Sequence, residues 1–215
     1  MEVRKSFHEK LEELYLDLIR MGNLTIETVE RTQVAFANLD QQLAGKIIEG
    51  DDDLDAYVAR IDGNGIGLLA RQAPVAIDLR TIIVIMRLSQ HLERVGDLCV
   101  NISKAISNMG GYTPAPWIMD NMDEMFKRSR NMIVQAMDSF KDRDEKLAEE
   151  LTKMDDKVDR INRAFLTTYD KECEENEIEL VIRVVMISRF LERIADRAVD
   201  IGEEVRYLVT GEFAD

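Results

Sequence analysis

An internal repeat constrains the fold of this 215-residue chain more than any other feature of its sequence. Residues 92–102 (LERVGDLCVNI) align without gaps to residues 191–201 (LERIADRAVDI), and six of the eleven positions are identical. The two segments lie 99 residues apart, which is the size of a small domain and far longer than one unit of a solenoid. The sequence therefore predicts two related domains rather than an array of short units.

Apolar residues recur at steps of three and four in both halves, which is the pattern of amphipathic helices. The helices that this pattern predicts span about 6–49, 51–71, 74–108, 117–140, 144–171 and 177–209. The chain turn between the last two of them is predicted near 174–176. A concentrated loop signal, GGYTPAP at 110–116, separates the two halves. The predicted fold is all-α, with one spectrin-like three-helix bundle in residues 1–110 and a second in residues 115–215. Three glycines in the second helix (63, 65 and 67) predict close packing against another helix, because glycine is otherwise unfavourable there.

The composition excludes several classes of protein. There are 42 acidic and 28 basic residues, so the formal net charge is −14, and a nucleic-acid partner is not expected. The longest apolar run is too short to span a bilayer, and the N-terminus has no apolar signal core. Cys99 and Cys173 lie far apart, which predicts neither a disulfide framework nor a thiolate metal site. We therefore expect a cytoplasmic protein.

Pairs of acids spaced by four residues lie on the predicted helices of both halves. The pairs are Asp51 and Asp55, Glu93 and Asp97, Asp155 and Asp159, and Glu192 and Asp196, with Asn101 and Asp200 as weaker candidates one turn further on. In each antiparallel helix pair, both acid pairs fall roughly 30 Å from the turn, so four carboxylates face each other. Such a cluster requires either a bound cation or raised pKa values. Ligation by oxygen alone suits iron, manganese, magnesium or another divalent ion, and bridging carboxylates could hold more than one ion.

Two other interpretations remain open at this stage. Arginines three residues from the acids could pair with them, which would make the chain a structural helical adaptor without metal. Alternatively, the carboxylates could serve a metal-dependent phosphohydrolase. The Glu-x-x-His element of ferritin-like di-iron bundles is missing, and neither His8 nor His91 lies on the acidic stripes, so an oxidase of that type is disfavoured.

Three segments resemble the PhoU family of phosphate-uptake regulators: the D-x-x-x-D of 51–55, the string APVAIDLR of 73–80, and the LERVGD of 92–97. The resemblance covers nearly the whole chain. It departs from the family pattern at 178–183, where the second half has IELVIR instead of the proline string, and at Val58, where a further acid is expected.

The resemblance implies two three-helix bundles with metal clusters at the eight paired acids. It also implies a cytoplasmic, non-enzymatic negative regulator of the phosphate-starvation response. The implied partners are the phosphate ABC transporter ATPase and the phosphate-sensing histidine kinase, and a homodimer is left open.

Overall fold

A computed structural model describes residues 2–109, 113–172 and 178–212, and every regular element in these ranges is a helix. The helices are α1 (Glu2–Asn38), α2 (Gln41–Glu49), α3 (Asp52–Gln72), α4 (Ala76–Ser107), α5 (Pro116–Asp142), α6 (Glu145–Glu172) and α7 (Ile178–Thr210). The all-α prediction is confirmed, and five of the six predicted helices match α3 to α7 closely. The turn predicted near 174–176 and Cys173 lie outside the described residues.

The prediction of one continuous helix over 6–49 is wrong, because this segment forms two helices, α1 and α2. Leu39 has a φ of 50°, a left-handed conformation that ends α1. The side chain of Asp40 then accepts hydrogen bonds from the backbone N–H groups of Gln42, at 3.0 Å, and Leu43, at 2.9 Å. This N-cap satisfies donors at the start of α2 and so favours a new helix over a continued one. The first half therefore contains four helices rather than three.

The glycines of α3 fulfil the packing prediction at one position only. A Cβ added to Gly65 would lie 2.7 Å from Sδ of Met86 in α4, so these two helices approach closely there. A Cβ on Gly63 or Gly67 would meet nothing within 4 Å. For those two glycines, the prediction of close packing is wrong.

Each half buries its apolar faces within its own helices, and the halves also contact each other. In the first half α1, α3 and α4 pack together with α2 against α4, and in the second half α5, α6 and α7 pack together. The halves meet mainly where α4 packs against α7. None of the helices in the described part of the chain combines the length and apolar character that a membrane span requires.

The α4 and α7 helices run antiparallel where they meet. Nη1 of Arg87 lies 3.1 Å from a carboxylate oxygen of Glu204, and one turn later Nδ1 of His91 lies 3.6 Å from Oδ2 of Asp200. The residue number in α7 thus falls by four as the number in α4 rises by four. This register places the two copies of the repeated segment, 92–102 and 191–201, side by side at the centre of the protein.

Candidate functional site

The first cluster of acids forms where the start of α3 approaches the middle of α4. Gly96 permits this approach, because a Cβ at that position would overlap Cδ1 of Leu54. Oδ1 of Asp51 lies 4.0 Å from the same position. The missing side chain at Gly96 therefore brings the beginning of α3 against the face of α4 that carries Glu93 and Asp97.

The four acids of the first cluster interact electrostatically. Burial, followed by the charges of Asp97 and Asp55, raises the pKa of Asp51. Burial also raises the pKa of Glu93, with Asp97 as the next contributor and smaller contributions from Asp55 and Asp51. Arg94 partly compensates, since its Nη1 lies 2.9 Å from Oδ2 of Asp97 and its Nε lies 3.5 Å from Oε2 of Glu93. The predicted acids of the first half thus come together.

The second half assembles the matching cluster between α6 and α7. Burial raises the pKa of Asp155 to about 6, and the nearby charges of Asp196 and Asp159 add to this effect. Burial also raises the pKa values of Glu192 and Asp196, and the charge of Asp159 acts on both in the same direction. The sequence prediction that each half gathers its acids at one level is therefore matched in both halves.

Asn162 is a member of the second cluster that the acid spacing did not identify. It is only 2% exposed, it hydrogen-bonds to Glu192, and its Oδ1 has no hydrogen-bond partner. Oδ1 of Asp155 is likewise buried without a partner. A sequence signal was present, because Asn162 lies one turn after the buried Val158, where an apolar residue is expected. Val58 occupies the corresponding position of the first half.

The donor set fits a hard or borderline cation by its chemistry. All the donors are oxygens and the carboxylates repel one another. In the second cluster, Oδ1 of Asp155 and Oδ1 of Asn162 are buried without a hydrogen-bond donor, which is costly. The side chains do not form a ready coordination sphere, however. Across 2–109, 113–172 and 178–212, no three Asp, Glu, His or Cys side chains are grouped so that they could hold one ion. Metal binding at the eight acids therefore stays a prediction.

The two weaker candidates lie at the contact between the halves. Asp200 is paired with Arg197, at 2.8 Å, and approaches His91. Asn101 is exposed and lines a pocket between α4 and α7. Burial lowers the pKa of His91, which favours the neutral imidazole next to Asp200. A ligand role for Asn101 and Asp200 stays a prediction. Asn101 has an amide instead of a carboxylate, and the carboxylate of Asp200 is paired with Arg197.

Arginine pairing, the alternative explanation of the acidic stripes, accounts for part of the charge. Arg94 pairs with Asp97, Arg189 pairs with Glu192, and Arg163 of α6 lies 3.5 Å from Asp159. These pairs are largely exposed, so each contributes little to stability. They leave the raised pKa of Asp155 without a compensating cation, because every neighbouring charge that acts on it is negative.

The family model for the PhoU domain matches this chain twice, at residues 18–106 and 122–205. The chain is 33% identical to the phosphate-specific transport system accessory protein PhoU homolog of Clostridium acetobutylicum, over 99% of this chain and 98% of the relative. It is 30% identical to PhoU homolog 1 of Thermotoga maritima, over 95% of this chain and 89% of the relative.

Solved structures agree with these matches. The phosphate transport system regulatory protein PhoU from Streptococcus pneumoniae superposes with a TM-score of 0.89 at 29% identity, covering 97% of this chain and 99% of that one. PhoU from Pseudomonas aeruginosa gives a TM-score of 0.87 at 30% identity, covering 96% of this chain and 100% of that one. With two PhoU domains that together occupy most of its length, the chain belongs to the PhoU family.

Proposed function

We propose that this protein is a cytoplasmic accessory regulator of phosphate-specific transport that binds divalent metal ions and acts as a non-enzymatic helical adaptor. Its partners would be the ATPase of the phosphate transporter and a phosphate-sensing histidine kinase, whose signal it would restrain. The observation that carries the proposal is the pair of partly buried carboxylate clusters, one in each PhoU domain. The names of the relatives support the link to phosphate transport.

In this proposal, metal ions supply positive charge where the helices concentrate negative charge. Two groups of residues would hold them: Asp51, Asp55, Glu93 and Asp97 in the first half, and Asp155, Asp159, Glu192 and Asp196 with Asn162 in the second. The bound charge would offset the burial and the repulsion that together raise the pKa values of Asp51 and Asp155. It would also tie α3 to α4 and α6 to α7, and so fix the shape of the surface presented to partners.

Metal analysis of protein purified without chelators tests the binding of ions. We expect the wild type to carry metal, and the double variant Asp51→Asn with Asp155→Asn to lose most of it. The matched control is Asp52→Asn with Asp156→Asn, which removes the same charge from the adjacent, exposed positions of the same helices. The same low metal content in the wild type, the variant and the control would contradict metal binding and leave the regulatory proposal to its own test.

Co-purification tests the adaptor function. We expect the full chain to retain the transporter ATPase, the sensor kinase or both from cells grown in high phosphate. Retention of neither partner would contradict the adaptor proposal. Hydrolysis of phosphate esters in the presence of manganese or magnesium, abolished by Asp51→Asn with Asp155→Asn, would contradict the non-enzymatic part and favour a phosphohydrolase.

A further inference from the structure

A pocket between α4 and α7 concentrates arginines in a protein that is otherwise strongly acidic. Its volume is about 340 Å³, and its lining consists of Arg94, Asp97, Leu98, Asn101, Arg193 and Arg197. Three guanidinium groups thus face one carboxylate. The pocket exists because α4 and α7 are antiparallel, so that the arginine of each copy of the repeated segment comes to the same opening between the halves.

The arginines of this pocket retain unused hydrogen-bond donors. Arg193 is exposed and forms no ion pair with any described residue, although Asp196 lies three positions away. Arg94 uses Nη1 and Nε for its two acids, and Arg197 uses Nη1 for Asp200. The Nη2 groups of Arg94 and Arg197 therefore remain available, together with the complete Arg193 guanidinium.

We propose that this pocket binds a dianionic phosphate group, either free inorganic phosphate or the terminal phosphate of a nucleotide. Guanidinium groups present paired N–H donors that match the oxygens of a phosphate, and such charge-assisted bonds are stronger than neutral ones. The amide of Asn101 adds a neutral donor at the edge of the pocket. The volume is within the range of small-molecule sites, which leaves room for a phosphate and its hydration or for a nucleotide end.

The large negative charge of the whole chain does not prevent this binding. At physiological ionic strength, interactions between exposed charges are largely screened beyond about 8 Å, so the nearest groups dominate. Those groups are the three arginines and the acids that pair with two of them, Glu93 and Asp97 with Arg94 and Asp200 with Arg197. Arg193 therefore supplies the positive charge that no paired acid balances. Phosphate binding at this pocket is a property separate from the regulatory function proposed above, because it requires neither a bound metal nor a partner protein.

Equilibrium dialysis of the full chain against radiolabelled inorganic phosphate tests the proposal. We expect saturable binding with competition by sulfate, which has the same shape and charge. The variant Arg193→Gln removes the free guanidinium and should weaken phosphate binding about tenfold, as expected for the loss of a charge-assisted bond. Arg160→Gln is the matched control, since Arg160 is exposed on α6 and, among the described residues, donates a hydrogen bond only to the backbone oxygen of Asp156. It should bind within about twofold of the wild type.

Competition by AMP and ATP distinguishes the two sources of the phosphate group. Strong competition by either nucleotide supports a terminal phosphate, and its absence supports the free ion. Thermal melting of Arg193→Gln should match the wild type because the residue is exposed, so weaker binding would not reflect unfolding. The proposal is overturned if no saturable binding of phosphate or nucleotide occurs up to about 10 mM, or if Arg193→Gln binds as tightly as Arg160→Gln.

Discussion

The contact between Gly96 and Leu54 sets the spacing of α3 and α4 at the first acid cluster, and its energetic role can be measured. Gly96→Ala adds a methyl group that overlaps Cδ1 of Leu54. Overpacking of this kind costs about 1–3 kcal/mol, and the better helix propensity of alanine offsets about 1 kcal/mol. We expect a net loss of about 1 kcal/mol in the free energy of unfolding, together with weaker metal binding in the first half.

The second half indicates how this loss can be reversed. When Asp51 and Asp55 are aligned with Asp155 and Asp159, Leu54 aligns with Val158. In the alignment of the two repeated segments, Gly96 aligns with Ala195. Both Val158 and Ala195 are fully buried. Leu with Gly and Val with Ala each total four side-chain carbons, so the aligned pairs of the two halves are equal in size.

The double variant Gly96→Ala with Leu54→Val should therefore recover the stability of the wild type. Leu54→Val alone leaves a cavity and should cost about 1 kcal/mol, so the two single variants would lose about 2 kcal/mol if their effects were additive. We expect the double variant to lie within about 0.5 kcal/mol of the wild type, a coupling of about 2 kcal/mol.

Urea denaturation followed by far-ultraviolet circular dichroism measures all four proteins. Each kcal/mol should also shift the melting temperature by about 2–4 °C in a chain of this length. The reciprocal exchange, Ala195→Gly with Val158→Leu, is the control in the second half and should also be tolerated. Additive losses in the double variant, near 2 kcal/mol, would refute the packing argument.

Three further predictions concern charge and capping. The raised pKa of Asp155, about 6, means that its contribution to stability is present below its ordinary pKa and is lost as the pH rises through 6. Melting of metal-free protein should therefore show stability that falls between about pH 4 and pH 7. Asp155→Asn should reduce the total fall over this range by about 1 kcal/mol after allowance for solvent screening, and an unchanged fall would contradict the electrostatic interpretation. Asn162→Val, which copies Val58, should weaken divalent-ion binding in the second half about tenfold in a metal titration, and equal affinity would exclude the residue from the site. Asp40→Ala should cost about 1 kcal/mol in urea denaturation by removing the N-cap of α2, whereas no loss would mean that tertiary packing alone starts this helix.

The sequence was sufficient to predict the helices and the acid clusters because both depend on regular spacing. Periodic apolar residues locate a helix whatever it packs against, and the spacing of four residues places Glu93 beside Asp97 in any α-helix. The break at Asp40 was missed because the apolar period continues across it. An acid followed by helix-forming residues was the available signal, but it also suits the middle of a surface helix.

Features that depend on contacts between distant helices could not be predicted in this way. The single-sequence pattern shows that Gly65 and Gly67 are unfavourable in a helix, but only the packed structure shows that Gly65 alone meets a neighbour. The arginine pocket required the antiparallel register of α4 and α7, which nothing within either helix determines. Asn162 required knowledge of burial, because its place one turn after Val158 marks it as a core residue only once Val158 is known to be buried.

The two halves differ in polar residues at aligned positions, and we expect this difference to give them unequal affinities for ions. The aligned pairs Leu54 with Gly96 and Val158 with Ala195 keep the same number of side-chain carbons. By contrast, Asn162 matches Val58, and Arg197 matches Leu98. The second half therefore has a buried amide oxygen that the first half lacks, and it contributes one more guanidinium to the interdomain pocket than the first half does. The stronger cation site and most of the charge for the anion site should consequently lie in the second half, so that substitutions there have the larger effect on both.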